Sequence, residues 1–379
     1  MRAAVLVAPG RMHVREVPVV EPGPGEVLLR VSAVGLCGTD FHIFSGHGNY
    51  HSDRTGRLVP LEESPQILGH EFAGVVEEAG SHVGDLKAGD FVIVDQGRNC
   101  VSEGRPLCEY CSTGDSHQCA GYGEHGITGL PGALAECITV PAVNAIRVEG
   151  LPRDRAALTE PLACIVHSSD MVERSTTRYK LRHDQQDREV RTVLIFGGGP
   201  AGLLFTQYLR NALAFDGQLI VSEPNVLKRS FAQRYGATAI DPTAVDLREA
   251  VDELTSGRRV EYAIDAAGAG SVFTQLPSLL RKQGTVLLYG HGHAGVDLSV
   301  LNNVQFLEPA LISPVGASGG FEPDGRPTTY RRALGLLETG RVEVDAFITH
   351  RYHSLDEVPG AFAGAHQAPD YVKGVVELN

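Results

Sequence analysis

The sequence has no tryptophan, and aromatic residues make up only 6% of its 379 positions. A wide aromatic pocket is therefore not expected. No apolar run approaches the roughly twenty residues that a membrane-spanning helix needs, so no membrane is expected as a partner. The N-terminal stretch MRAAVLVAPGRM has too short an apolar run and too early a Pro-Gly to read as a secretory signal, so a reducing, cytoplasmic setting is expected. That setting weakens a disulfide reading of the seven cysteines and strengthens a metal or catalytic one. No run of Lys or Arg suggests a phosphate-backbone footprint. The 46 acidic residues outnumber the 33 basic ones, for a net charge of -13, so nucleic acid is not an expected partner. There is no internal repeat and no low-complexity tract.

What is present falls into two rhythms. Residues 1–160 read as mostly β: AAVLVA, EVLLRVSAV, FAGVVEEAG, FVIV and LAECITV alternate with Gly/Pro turns. From residue 192 strand and helix alternate, with TVLIF, AGLLFTQYLRNAL, QLIVSE, VLKRSFAQRYGA, LREAVDELTSG and VEYAIDAAG, then SVFTQLPSLLRKQG and TVLLYG. Such alternation predicts a doubly wound parallel sheet, so the fold class is α/β. After about 320 come a helix (TTYRRALGLLETG), the strand ITHRYH, a helix (LDEVPGAFAGA) and the strand VKGVVEL. Segments 44–66 and 174–190 look inserted, the second as a solvated surface loop or hairpin.

TVLIFGGGPAGLL sets Gly197, Gly199 and Gly202 in a G-x-G-x-x-G pattern between a predicted strand and a predicted helix. In that context the first Gly permits a tight turn, the second lets backbone approach a pyrophosphate, and the third lets helix pack on strand. The helix start, at Pro200, Ala201 and Gly202, frames the phosphate position. Glu223 ends the next strand, where a carboxylate accepts ribose hydroxyls and repels a 2′-phosphate. This favours NAD over NADP, with Lys228 and Arg229 nearby as cations able to meet a phosphate.

Four cysteines cluster in NCVSEGRPLCEYCSTGDSHQC. Cys108, Cys111 and Cys119 are separated by two and seven residues, and seven residues likewise separate Cys100 from Cys108. A second set is dispersed: Cys37, Thr39, Asp40 and His42 in LCGTDFH, His70 and Glu71 in LGHEFAG, Glu160 and Cys164 in TEPLAC. Thiolate, imidazole and carboxylate together are the ligand types of a catalytic zinc with an open position.

GLCGTDFHI, ILGHEFAGVV, KAGDFVIV, the C-x2-C-x7-C run, TEPLAC, the glycine loop and the C-terminal ITHRYH…KGVVEL occur in the order found in the zinc-dependent medium-chain dehydrogenases. The chain resembles that family along nearly its whole length, closest to the branch of polyol dehydrogenases and L-threonine dehydrogenase. The resemblance implies a GroES-like catalytic domain over 1–160, a Rossmann domain over 161–320, and a segment 321–379 that completes the first. It implies Cys37 and His70 as zinc ligands and Glu71 as a ligand or a partner that exchanges with water. Glu160 lies where this branch places a carboxylate near zinc. Cys164 competes with it, since alcohol dehydrogenases use a cysteine in this region, and the EPL pattern favours Glu160. Cys137 reads as structural.

Family members also carry a structural zinc on four cysteines spaced C-x2-C-x2-C-x7-C. Cys100, Cys108, Cys111 and Cys119 match, except that the first gap is seven residues instead of two, and the extra residues can bulge outward as a loop. The implied reaction is reversible oxidation of a secondary alcohol by NAD, with zinc as Lewis acid. The resemblance implies Thr39 and His42 as the proton relay. The substrate is expected to be small and polar: a polyol, a sugar derivative or an amino alcohol such as threonine. Segment 44–66, with His47, Asn49, His51, Asp53 and Arg54, is expected to read substrate hydroxyls or to form a plain surface excursion. The resemblance further implies a homodimer or homotetramer paired through the strand near EPALISPV. Two other readings remain: a zinc- and nucleotide-binding scaffold or redox sensor, and a zinc-free reductase of the same superfamily, against which Cys37 with the GHE motif argues.

Overall fold

Strand Glu26–Leu36 is the spine of the first sheet. Its β-branched and small side chains are buried without interruption from Val31 to Leu36, as a strand covered on both faces requires. It pairs antiparallel with Glu71–Ala79 on one side and with Lys373–Glu377 on the other. The sheet continues to Phe91–Val94 and Ala145–Arg147 at one edge and to Ile348–Tyr352 at the other, and Cys137–Pro141 adds a further pairing to the spine. The core around it is built from Leu29, Leu36, Leu68, Phe72, Leu134 and Val376 among others. The computed structural model describes residues 1–378. This sheet belongs to a unit formed by Met1–Cys164 with the chain from Ala317 onward.

Residues Ile165–Gly316 form the second unit. Its six strands are all parallel, in the order Thr238–Ile240, Gln218–Ser222, Thr192–Phe196, Val260–Asp265, Leu280–Leu288, Ala310–Ile312. In chain order this is 3-2-1-4-5-6, the doubly wound arrangement whose ligand crevice lies where the order reverses, beside Thr192–Phe196. Leu194, Ile220, Ala263 and Val286 fill the sheet interior, with Leu276 and Leu279 packed on them.

Two local expectations change. SVFTQLPSLLRKQG is not one element: the helix Ser271–Leu279 stops two residues after Pro277, which has no N–H to donate, and the next strand starts at Leu280. Segment 174–190 is more than a solvated loop. Tyr179 and Val190 are buried, and Lys180 Nζ donates to the carbonyls of Val172, Glu173 and Ser175, capping the end of helix Thr159–Arg174.

Candidate active site and cysteine lobe

Strand register brings one group of sequence-predicted residues together. Gly35 lies opposite Glu71, and Gly374 lies opposite Leu36. Cys37, which follows the spine, therefore shares a sheet end with His70 and Glu71 and with Lys373. Ligand atoms of Cys37, His70 and Glu71 all lie within 4.8 Å of one another. The packing leaves no spare room: a Cβ on Gly35 would stand 2.1 Å from Glu71 Oε2.

Asp40 orients this group. Its Oδ2 accepts from the Cys37 N–H at 3.0 Å and its Oδ1 from the Gly69 N–H at 3.2 Å. The same Oδ1 stands 3.3 Å from His70 Nδ1, which leaves the other ring nitrogen for a metal. Burial pulls the His70 imidazole down, but Asp40 and Cys37 outweigh it and hold the pKa well above its ordinary value. Lys373 has no counterpart in the sequence-level site. Its Nζ sits 2.7 Å from Glu71 Oε1 and 2.6 Å from Oε2, with both side chains buried. The available signal was a lone cation inside the apolar strand VKGVVEL.

Glu160, on the first turn of helix Thr159–Arg174, is buried but stands outside the compact group. Its Oε1 accepts from Gln96 Nε2 and from Cys164 Sγ, each at 3.1 Å. Burial pushes its carboxyl up to about 7; His70 opposes this rise and Glu71 adds to it. Burial, with Glu160 beside it, raises the Cys164 thiol well above its usual range. Thr39 and His42 lie three residues apart on helix Gly38–Phe44, on one face and half-buried.

Sγ atoms of Cys100, Cys108, Cys111 and Cys119 form a second group, also within 4.8 Å of one another. Cys100 and Cys119 are 3.6 Å apart, Cys108 and Cys119 3.9 Å. A tetrahedron with Zn–S bonds of about 2.3 Å has S···S edges of about 3.8 Å, so the spacing fits a four-thiolate site. All four are free of disulfides. The extra residues fold into a closed turn in which Arg105 N–H donates to Cys100 O at 2.8 Å, so the insertion starts and ends at one place. Backbone N–H groups of Cys111 and Ala120 lower the Cys108 thiol to about 6, while burial raises Cys111 to about 12. Four thiols so close ionise together only around a cation.

In the second unit Gly197 has φ +96°, and a Cβ on Gly202 would stand 2.0 Å from Gly197 O. Both positions therefore demand glycine. Gly199 caps helix Pro200–Gln207, with Pro200 and Ala201 in its first turn. Glu223 Oε2 accepts from Gly198 N–H at 2.7 Å and Oε1 from Asn225 N–H at 2.8 Å, so the loop and the strand end are tied together. Lys228 sits at the start of helix Val226–Arg234, while Arg229 is turned to Asp241 at 3.0 Å.

Residues 23–150 match the family model for the alcohol dehydrogenase GroES-like domain, and residues 200–339 that for zinc-binding dehydrogenases. An L-threonine 3-dehydrogenase from Pyrococcus furiosus is 31% identical over 92% of this chain and 90% of its own length. An L-galactonate-5-dehydrogenase from Escherichia coli is 27% identical over 89% of this chain and 87% of its own. A zinc-binding dehydrogenase from Sinorhizobium meliloti, solved bound to NADP, superposes with a TM-score of 0.79 at 32% identity, covering 99% of this chain and 98% of that one. The chain is a zinc-dependent medium-chain dehydrogenase. Its cofactors are zinc and a nicotinamide dinucleotide.

Not every part of the dehydrogenase that looked ready to meet substrate is available. In segment 44–66, Asn49 Nδ2 donates to Val59 O, and Asp53 accepts from Thr55 and Arg57 within the loop. The His51 ring packs where a Cβ on Gly129 would fall. Tyr50 and Ser52 instead line a cavity of about 600 Å³ with Arg98, Arg105, Tyr122 and Leu130, beside the cysteine lobe.

The Lys373–Glu71 pair generates a stability prediction. Removing one partner of a buried ion pair leaves an uncompensated charge, so Lys373→Met should destabilise the protein by about 3–5 kcal/mol in urea denaturation. Lys373→Met combined with Glu71→Gln should recover much of that loss. A single variant as stable as wild type would show that the pair does not hold this sheet end.

Proposed function

We propose that this dehydrogenase oxidises a secondary alcohol of a small, polar, hydroxylated substrate to the ketone, reversibly, with NAD as the preferred acceptor. The observation that carries the reading is the convergence of half-buried Cys37 with buried His70 and Glu71 at one sheet end. Its relatives include a threonine and a galactonate dehydrogenase, and those names set the substrate class proposed here: polyols, sugar acids and amino alcohols. In this reading Cys37 and His70 hold the catalytic zinc, Glu71 and Glu160 stand as its carboxylate partners, and Cys100, Cys108, Cys111 and Cys119 hold a structural zinc. Bound zinc supplies Lewis acidity and the bound dinucleotide accepts hydride.

The protein's own residues do the rest. Asp40 lies beside His70 Nδ1 and favours a ring pose that offers the other nitrogen to a metal. Lys373 balances the charge of Glu71. The Thr39 hydroxyl takes the proton from the substrate oxygen and passes it to the His42 imidazole, which releases it to water. Gly197, Gly199, Pro200, Ala201 and Gly202 receive the pyrophosphate, and Glu223 the adenosine ribose. Lys228 borders that position, and its closeness to Glu223 sets how strictly a 2′-phosphate is refused.

Assembly belongs to the same proposal. Ala310–Ile312 is the edge strand of the parallel sheet, and Leu298, Phe306, Leu311 and Val315 around it are exposed. Strand pairing across a two-fold axis would cover that edge, so a homodimer, or a tetramer built on it, is proposed. A monomer in sedimentation at micromolar concentration would contradict this. Among the described residues no helix is long and apolar enough to cross a membrane, and a cytoplasmic setting is proposed.

The test is a panel of polyols, sugar acids and amino alcohols scored for reduced dinucleotide, run with NAD and with NADP. Turnover is expected on hydroxylated substrates ahead of simple alcohols, and with NAD ahead of NADP. Glu223→Ala should narrow the NAD preference by about tenfold in kcat/KM. Wild type using NADP as well as NAD, or turning over only simple alcohols, would overturn the corresponding part of the reading.

A further inference from the structure

Behind Glu160 lies a buried polar chain to which the activity so far assigns no role. Gln96 and Tyr330 are fully buried. Gln96 Nε2 donates to Glu160 Oε1 at 3.1 Å and to Glu124 Oε1 at 2.9 Å. Tyr330 O–H donates to Gln96 Oε1. An amide is the one neutral side chain that can do this: its two N–H bonds meet two carboxylates while its oxygen accepts a hydroxyl. The two carboxylates also fix which end of the amide is nitrogen.

The position of Gln96 is itself held by the cysteine lobe. Neighbouring Asp95 faces His117 Nε2 at 3.2 Å, and His117 lies between Cys111 and Cys119 in the chain. Asn144 Nδ2 donates to the carbonyls of Asp95 and Gly97, both at 2.7 Å, so the backbone on either side of Gln96 is pinned. Four residues beyond Gln96 comes Cys100.

We infer that Gln96 is a positioning residue that decides which oxygen of Glu160 faces the zinc. Gln96 and Cys164 both donate to Oε1. Glu160 is thereby turned to present Oε2 to the metal or its water, while Cys164 Sγ is engaged with Glu160 Oε1. The inference rests on the proposed reading that Cys37 and His70 hold the catalytic zinc, and it gives the structural lobe a second task, that of anchoring the amide.

The experiment uses full-length enzyme with cobalt(II) in the catalytic position. It compares wild type, Gln96→Met, Tyr330→Phe, Cys164→Ser and Cys37→Ser by visible absorption and by zinc competition. In wild type the thiolate-to-cobalt band should correspond to one thiolate, and Cys164→Ser should leave it unchanged. Gln96→Met should alter the cobalt spectrum and weaken metal binding on the order of 10- to 100-fold, as loss of a partner behind a ligand does. Tyr330→Phe removes a single hydroxyl and should give the same change in weaker form, so the inference stays testable if Gln96→Met folds poorly. A Tyr330→Phe and a Gln96→Met spectrum both identical to wild type, or a Cys164→Ser variant that loses half the thiolate band, would overturn the role of Gln96. A cobalt signal that survives Cys37→Ser would instead overturn the zinc reading beneath it.

Discussion

Charged and polar groups buried at one end of an otherwise apolar sheet need partners, because leaving such groups unpaired costs more than most single contacts contribute. Cys37, His70, Glu71, Lys373 and Asp40 meet that need together. Asp40 takes two backbone N–H groups and faces His70, Lys373 faces Glu71, and what remains unbalanced is a set of donors suited to a divalent cation. Gly35 is a glycine because Glu71 occupies the space where a side chain would go. The strand register is equally constrained, since a slip of one residue between Glu26–Leu36 and Glu71–Ala79 would turn Glu71 away from the site.

The cysteine lobe answers the same demand with different chemistry. Four thiols within reach of one another are unfavourable as thiolates without a metal, and all four are free of disulfides. Its proposed zinc would act as a staple, and the lobe reaches Glu160 through the His117–Asp95 contact and Gln96, the next residue in the chain, which donates to Glu160. The five-residue expansion in the first cysteine gap leaves this intact because it closes on itself between Cys100 and Arg105.

Residues whose role depends on short spacing along the chain are legible in the sequence alone. The glycine loop, CGTDFH, GHE and the cysteine run declare their chemistry locally, and the alternation of strand and helix over 192–288 declares a parallel sheet. Family order then ties the dispersed ligands together. Lys373 is not legible in this way, because it meets Glu71 across some three hundred positions of chain and only strand pairing through Leu36 and Gly374 brings them face to face. Gln96 and Tyr330 are hidden for the same reason, inside FVIVDQ and TTYRR, where each reads as an ordinary strand end or helix residue. In segment 44–66 composition shows that a side chain can donate, but not that Asn49 and Asp53 are engaged within their own loop.

The central claim is that two separate clusters each hold a zinc ion, one for chemistry and one for structure. Metal content by mass spectrometry on wild type, Cys37→Ser and Cys111→Ser, each purified without added metal, tests it most directly. The account predicts about two zinc ions per chain in wild type and about one in each variant, with only Cys111→Ser showing a lowered Tm. About one zinc or none in wild type, or a Cys37→Ser variant that retains both, would contradict it.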